Sequence, residues 1–273
     1  MTSGENVLSV FEDAALAAGR VILDIYRADP EIRWKGDASP VTEADEAAEK
    51  IILEALAMAL PEIPIIAEEE VAAGRIPDID GRHFILVDPL DGTREFIGGH
   101  DDFTVNIALI EDGKPIAGIV YAPALGVAYS GASSRAEKLE IGPDFHETGR
   151  QEIRIRTGSE GSCALISRSH NCRETDDYID ATAILERRAV GSSLKFCLVA
   201  EGNADIYPRF SPTMEWDTAA GDAVLRAAGG LVTTRDGAPL TYGKHIAGLR
   251  PFENPAFIAW GDRAKAGMTS QEN

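Results

Sequence analysis

The chain has 273 residues, of which 44% are hydrophobic and 26% charged, a composition that excludes a disordered chain and leaves ample sequence for a buried core. Its 45 acidic residues against 26 basic ones give a formal charge of −19, which argues against a binder of nucleic-acid backbones; an anionic substrate here would need added cations, most simply metal ions. Three scattered cysteines, Cys163, Cys172 and Cys197, suit neither a disulfide framework nor a zinc site.

Near the N-terminus, Phe11, Ala14, Ala15, Ala18, Val21, Ile22 and Ile25 recur at three-to-four spacing, with Glu12, Asp13, Arg20 and Asp24 between them. This predicts an amphipathic helix on a core rather than a targeting signal. A second helix is predicted from Glu43 to Leu60, ahead of Pro61; Thr42 and Asp45 before it resemble a capping box with Asp in place of Glu or Gln. Ile63 to Ala67 and His83 to Val87 read as strands. Phe103 to Ile110 and Pro115 to Tyr121 flank Glu111-Asp112-Gly113-Lys114, a strong hairpin signal, and Gly126 to Ser130 adds another strand. The first half is thus α+β with an antiparallel sheet.

In the second half, strands at Cys163–Ser167, Arg188–Val190, Ala204–Tyr207, Leu231–Thr234 and Phe257–Trp260 alternate with helices at Glu174–Thr182, Leu194–Glu201 and Thr218–Ala228, which implies an α/β layer. The division is expected between Pro143 and Gly161, giving halves of 1–152 and 153–273, with a frayed tail from Asp262. No stretch approaches the roughly 20 apolar residues of a membrane span. The expected location is the cytoplasm, with peripheral association at the inner membrane's cytoplasmic face as a secondary expectation.

The sharpest chemical feature is Phe84-Ile85-Leu86-Val87-Asp88-Pro89-Leu90-Asp91-Gly92-Thr93. Pro89 is expected to stop the strand, because it lacks a donor for the ladder. Gly92 permits a sharp turn close to a ligand. Asp88 and Asp91 can then share a cavity, where two hard carboxylates suit Mg²⁺, while the amides of Gly92 and Thr93 face a phosphate. Turn conformation alone explains one Asp and a Gly, but not both acids and the Thr together. Glu68-Glu69-Glu70 after a short apolar strand reads by itself as a solvated face, with a βα-type loop as the way to aim one acid inward. Asp217, at the start of an Ala-rich helix, reads equally as an N-cap, as does Asp45. Haloacid-dehalogenase-like phosphatases place a nucleophilic Asp two positions before the second Asp; here the spacing is three with Pro between. EF-hand, nucleophile-elbow and Walker patterns are absent from the sequence.

Gly36-Asp37-x-Ser39-Pro40-Val41-Thr42-x-Ala44-Asp45, Glu68-Glu69, Asp88-Pro-Leu-Asp91-Gly-Thr93 and Trp216-Asp217-x-Ala219-Ala220-Gly221-Asp222 together resemble the inositol monophosphatase superfamily. Asp91-Gly92-Thr93-Arg94-Glu95-Phe96, Phe103 to Ile107, Ser167 to His170, Gly191 to Cys197 and Tyr207 to Phe210 are similar to its CysQ-type 3′(2′),5′-bisphosphate nucleotidases. One departure is Ala67, where many relatives carry Gly or Ser.

The resemblance implies an α/β fold built as a layered αβαβα sandwich, and two or three Mg²⁺ ions. Glu68, Asp88 and the Leu90 carbonyl would hold the first ion, and Asp88, Asp91 and Asp217 the second. Glu68 and Thr93, the latter oriented by Asp45, would position the attacking water. Glu68, Leu90, Asp91, Gly92, Thr93 and Asp217 would surround the reacting phosphate. Lys195 and Arg209 are candidates for a second phosphate, with Ser192 as a hydroxyl donor and His170 near the base or phosphate. Without the resemblance these four read as a snorkelling Lys, a surface Arg, an N-cap Ser and a loop His. The implied reaction is Mg²⁺-dependent, lithium-sensitive hydrolysis of 3′-phosphoadenosine 5′-phosphate to AMP, and of phosphoadenosine phosphosulfate to adenosine phosphosulfate, in sulfate assimilation. An inositol-1-phosphatase or broad sugar phosphatase is the alternative. A non-catalytic sensor would not need the Thr93–Asp45 pair. A homodimer is also an expectation.

Overall fold

A computed structural model describes residues 4–28, 32–34, 40–79, 82–158, 162–182, 184–244, 246 and 248–266. Of the motif residues, Gly36, Asp37 and Ser39 lie outside them, as does Gly161.

In chain order the first half runs α1 (Gly4–Tyr26), β1 (Ile32–Trp34), β2 (Pro40–Thr42), α2 (Glu43–Ala59), β3 (Ile65–Ala67), α3 (Glu68–Ala72), β4 (His83–Asp91), α4 (Thr93–Ile97), β5 (Thr104–Glu111), β6 (Lys114–Ala122), β7 (Val127–Ala132), β8 (Arg135–Ile141) and β9 (Glu147–Ile153). Strands β3 to β9 form one seven-stranded sheet in sequential order, antiparallel except for the β3–β4 pair. The second half runs β10 (Ser162–Ser167), α5 (Arg173–Asp180), β11 (Ile184–Val190), α6 (Leu194–Ala200), β12 (Ile206–Arg209), α7 (Ala219–Ala227), β13 (Leu231–Thr234), β14 (Phe257–Trp260) and α8 (Arg263–Ala266). Its five-stranded sheet has the order β11-β10-β12-β14-β13.

The layers follow from which face each apolar residue occupies. On β4, Ile85 and Val87 join the core beneath α1 and α2, whereas Phe84 and Leu86 join the core between the two sheets. On β5, Val105, Ile107 and Leu109 take the first core, and Ala108 and Ile110 the second. Strands covered on both faces need no polar alternation, which is why these segments read as continuous apolar runs. Helices α6 and α7 lie between the sheets, and α7 packs closely on β6 and β7. Gly131 allows that approach, since a Cβ there would fall 2.7 Å from the Val224 Cα. Ile179 of α5 and Ala266 of α8 close a third core on the outer face of the five-stranded sheet. The result is the αβαβα sandwich.

One expectation changes. Strand β4 does not stop at Pro89. Asp88 pairs with Asn106 and Asp91 with Thr104, so the ladder resumes after a register shift. A bulge absorbs the missing donor of Pro89. Strands β8 and β9 had no sequence expectation, because charged residues interrupt both, although β8 buries four of its seven positions and β9 buries Ile153. The hairpin turn is as read: Asp112 (φ 47°) and Gly113 (φ 75°) both lie in the left-handed region that a two-residue loop requires. The tail contains the short helix α8 up to Ala266; the rest lies outside the described residues.

Candidate active site

The β4 bulge and the turn into α4 build the first wall of a cavity of about 580 Å³. Gly92 has φ 92°, a conformation that a residue with a Cβ adopts only under strain. Its carbonyl accepts from the Phe96 amide at 2.9 Å, opening α4 directly after Asp91. Every residue that the sequence singled out for metal or substrate lines the cavity. Asp45 does not line it and lies behind Thr93.

Asp88, Asp91 and Asp217 bring carboxylate oxygens within 4.8 Å of one another. Each is fixed by a backbone amide: Leu90 N donates to Asp88 Oδ1 at 3.0 Å, Ser193 N to Asp91 Oδ2 at 2.5 Å, and Met214 N to Asp217 Oδ2 at 2.8 Å. Burial, followed by repulsion from Glu68 and the neighbouring aspartates, holds Asp88 well above the usual carboxylate range. Burial and the Asp91 and Glu68 charges do the same to Asp217. Asp91 is pushed up by burial to about 6, opposed by the charge of Lys195. Three crowded, amide-anchored carboxylates form a hard-oxygen donor set that a divalent cation would neutralise, so the residues fit one. Asp217 is not the cap of α7; that position is Thr218.

Adding Mg²⁺ to chelator-treated protein is expected to raise the Tm. An ion bound only by the folded chain stabilises it by about 2.7 kcal/mol at a hundred times its Kd. A melting curve that stays put throughout such a titration removes the metal reading of this cluster.

Thr93 Oγ1 lies 3.2 Å from Asp45 Oδ1 and 3.3 Å from the Leu90 carbonyl, and can donate to either. Asp45 Oδ2 accepts from Thr42 N and Thr42 Oγ1, both at 2.8 Å, and Thr42 Oγ1 accepts from Ala44 N at 3.2 Å. One Asp45 oxygen therefore closes the capping box of α2 while the other meets Thr93. The cap reading of Asp45 is thus compatible with its contact to Thr93.

The three acids after β3 are half-buried and begin a helix, instead of lying on a solvated face. Glu68 points its residue position into the cavity, while Glu70 pairs with Arg75. Glu49, 4% exposed, reaches across from α2, and its Oε2 accepts from Glu69 N at 2.8 Å. Burial is the main cause that lifts the Glu49 pKa to about 7.

Cationic side chains line the same cavity. Lys195 is 2% exposed; it donates to the carbonyls of Val190 and Ser192 and lies 5.1 Å from the Tyr207 ring centroid, so it is not a snorkelling surface side chain. Burial lowers its pKa to about 8, against the pull of Asp91. Arg209, also buried, donates to the carbonyls of Ser211 (3.1 Å) and Pro212 (3.0 Å). Ser192 has φ 47°, and its Oγ accepts from Leu194 N at 3.3 Å. His170 sits at the mouth, where desolvation and the charges of Arg209, Arg94 and Lys195 push its pKa down and leave it neutral near pH 7.

Two contributors had no assigned role in the sequence reading. Arg94 is exposed on the cavity rim, and among the described residues its guanidinium has no hydrogen-bond or ion-pair partner. The signal was available, as an Arg directly after Asp91-Gly92-Thr93 in an acidic chain. Ser193 holds Asp91 through its amide while its hydroxyl donates to Asn106 Oδ1 at 2.6 Å. No local pattern marks that contact.

Comparison with known proteins agrees with this geometry. A family model described as the inositol monophosphatase family matches residues 3–254. The 3′(2′),5′-bisphosphate nucleotidase CysQ of Escherichia coli O157:H7 is 45% identical over 236 residues, spanning 86% of this chain and 93% of the relative. The enzyme of the same name from Salmonella typhimurium matches at 45% over the same shares. The crystal structure of CysQ from Bacteroides thetaiotaomicron superposes with a TM-score of 0.78 at 36% identity, covering 95% of this chain and 98% of that one. The suhB protein of Bartonella henselae gives a TM-score of 0.75 at 28% identity, covering 98% and 99%. No helix among the described residues is long and apolar enough to cross a membrane.

Proposed function

The chain belongs to the inositol monophosphatase family, and from that premise we propose that it is a 3′(2′),5′-bisphosphate nucleotidase. It removes the 3′-phosphate of 3′-phosphoadenosine 5′-phosphate, giving AMP and phosphate, and acts on phosphoadenosine phosphosulfate as a second substrate. This places it in sulfate assimilation. The observation that supports the reading is one cavity lined both by a carboxylate cluster and by a group of cations. A substrate with two phosphates on one nucleoside matches both sets of residues; a monophosphorylated inositol has no second phosphate to offer the cations.

Glu68, Asp88, Asp91, Asp217 and the Leu90 carbonyl would hold the divalent ions, proposed as two or three Mg²⁺. When bound, such ions lower the pKa of a coordinated water and offset charge on the phosphate and the leaving ribose oxygen. The Thr93 hydroxyl can give its proton to the hydrogen bond with Asp45 Oδ1. The Thr93 oxygen is then an acceptor for the attacking water, whose other side Glu68 holds. Attack of the water oxygen at phosphorus forms one P–O bond and breaks the P–O bond to the 3′ oxygen; the water gives up a proton to solvent, and the 3′ oxygen takes one from solvent to leave as the AMP hydroxyl. No covalent enzyme intermediate is required. The neutral His170 borders the base or the 5′-phosphate, and Ser192, Lys195 and Arg209 shape the second phosphate site.

Because Lys195 and Arg209 already donate to backbone carbonyls, Arg94 is the cation with most freedom to follow the substrate. A charge-assisted hydrogen bond contributes roughly 1.5–3 kcal/mol, so Arg94→Ala is expected to lower kcat/KM about tenfold to a hundredfold on 3′-phosphoadenosine 5′-phosphate. On 3′-AMP, which lacks the 5′-phosphate, the loss should be small. Lys195→Ala and Arg209→Ala should show the same contrast together with a lower Tm, and Arg209→Lys should recover only part. The panel includes inositol-1-phosphate and fructose bisphosphate. A wild type that prefers inositol-1-phosphate to both nucleotides overturns the proposed function; equal losses on both nucleotides overturn the role of the cations.

A further inference from the structure

Two carboxylates one turn apart on α2, Asp45 and Glu49, are both buried, 2% and 4% exposed, and share a face. Asp45 reaches Thr93. Glu49 reaches α3, where its Oε2 accepts from Glu69 N at 2.8 Å and its carboxylate also receives the Glu70 amide. Helix α3 has only five residues, too few to hold itself by its own hydrogen bonds. Its N-cap, Ala67, offers no side-chain acceptor. The amides of its first turn are satisfied instead from another helix, next in sequence to Glu68. Burying a carboxylate is costly. No cation among the described residues forms an ion pair with Glu49, and Leu would fill its place on α2 with no such cost.

We infer that Glu49 is a positioning residue for Glu68: it anchors the first turn of α3 so that the Glu68 carboxylate stays aimed into the cavity. Helix α2 then carries both halves of the water-positioning apparatus, Thr93 through Asp45 and Glu68 through Glu49. The inference rests on the reaction proposed above, in which Glu68 holds metal and water.

The test compares Glu49→Gln with Glu49→Leu in the full chain. Gln keeps a carbonyl acceptor for the α3 amides; Leu keeps the volume and removes the acceptor. Supports of metal ligands typically affect metal affinity or activity by 10–100-fold. Glu49→Leu is therefore expected to lower kcat about tenfold to a hundredfold at saturating Mg²⁺, with KM nearly unchanged. It should also raise the Mg²⁺ concentration that gives half of the Mg²⁺-induced rise in Tm. Glu49→Gln is expected to stay within a few-fold of wild type in both. Gln as impaired as Leu, or Leu as active as wild type with an unaltered Mg²⁺ titration, overturns the inference. Turnover is measured on whichever phosphate ester the wild type hydrolyses best, and the Mg²⁺ titration needs no substrate. Failure of the nucleotide reading thus shows in the wild-type panel, and failure of the positioning role shows in the variants.

Discussion

Asp217→Asn and Asp91→Asn are each expected to lower kcat about a thousandfold or more. Loss of a group that merely supports a metal ligand already affects affinity or activity 10–100-fold, and these substitutions remove charged oxygen donors themselves. The same change should not unfold the chain. Both aspartates are held among like charges, and both have carboxyl pKa values raised by burial. Removing one charge relieves repulsion in the metal-free protein, so its Tm without Mg²⁺ should hold or rise while the Mg²⁺-induced increase shrinks. A pH signature accompanies this. Asp91 has its pKa raised from 3.8 to about 6 in the folded chain, so its contribution is fully present below about 4 and is lost as pH rises through about 6. The metal-free wild type should lose stability over that interval, and Asp91→Asn should lose less. Turnover within tenfold of wild type in either variant, or full wild-type activity in excess EDTA, would sink the metal-dependent mechanism.

Thr93→Ala is expected to cost about 10²–10⁴ in kcat with little change in KM, the range for a group that handles a proton in the transition state. Among the described residues the hydroxyl's hydrogen-bond partners are Asp45 and the Leu90 carbonyl, and removing one small group opens no large void, so Tm should stay close to wild type. Asp45→Asn acts at the same point from behind. Its amide can leave a carbonyl oxygen facing Thr42 and keep part of the cap, but then turns an NH₂ toward Thr93 where an acceptor is required. The expected result is a similar fall in kcat, with a stability loss no larger than the roughly 0.5–2 kcal/mol of a helix cap. Steady-state kinetics and melting curves at saturating Mg²⁺ decide it. Normal turnover alongside a lowered Tm in Asp45→Asn would reduce Asp45 to a cap.

Much of the fold was legible because its signals are local. The Thr42–Asp45 box, the Asp112-Gly113 turn and the apolar runs of β4, β5 and β6 each lie within a few residues, and the backbone obeys them. The elements that were missed had their signal masked. The alternation of β8 and β9 rests on a few apolar residues among Arg, Glu and Lys, and only the neighbouring strands make those segments part of a sheet. Pro89 gave the correct local statement, that no donor is available, but the remedy was a bulge and not an end, because β5 continues alongside.

For the site, the sequence by itself determined which side chains could do the chemistry: the carboxylates of Asp88 and Asp91, the Gly92 turn and the Thr93 hydroxyl. It left Asp45, Asp217 and Glu68 with two readings each. Tertiary structure decided where those side chains sit, because placement depends on what lies opposite each one. Asp217 meets Asp88 and Asp91 only because α7 seats on β6 and β7, where Gly131 leaves room. Asp91 is fixed by the amide of Ser193, 102 positions away. Crowding like charges opposes folding locally, so no short-range preference could have produced or revealed this cluster; the packing of two sheets on a shared helical layer holds it together.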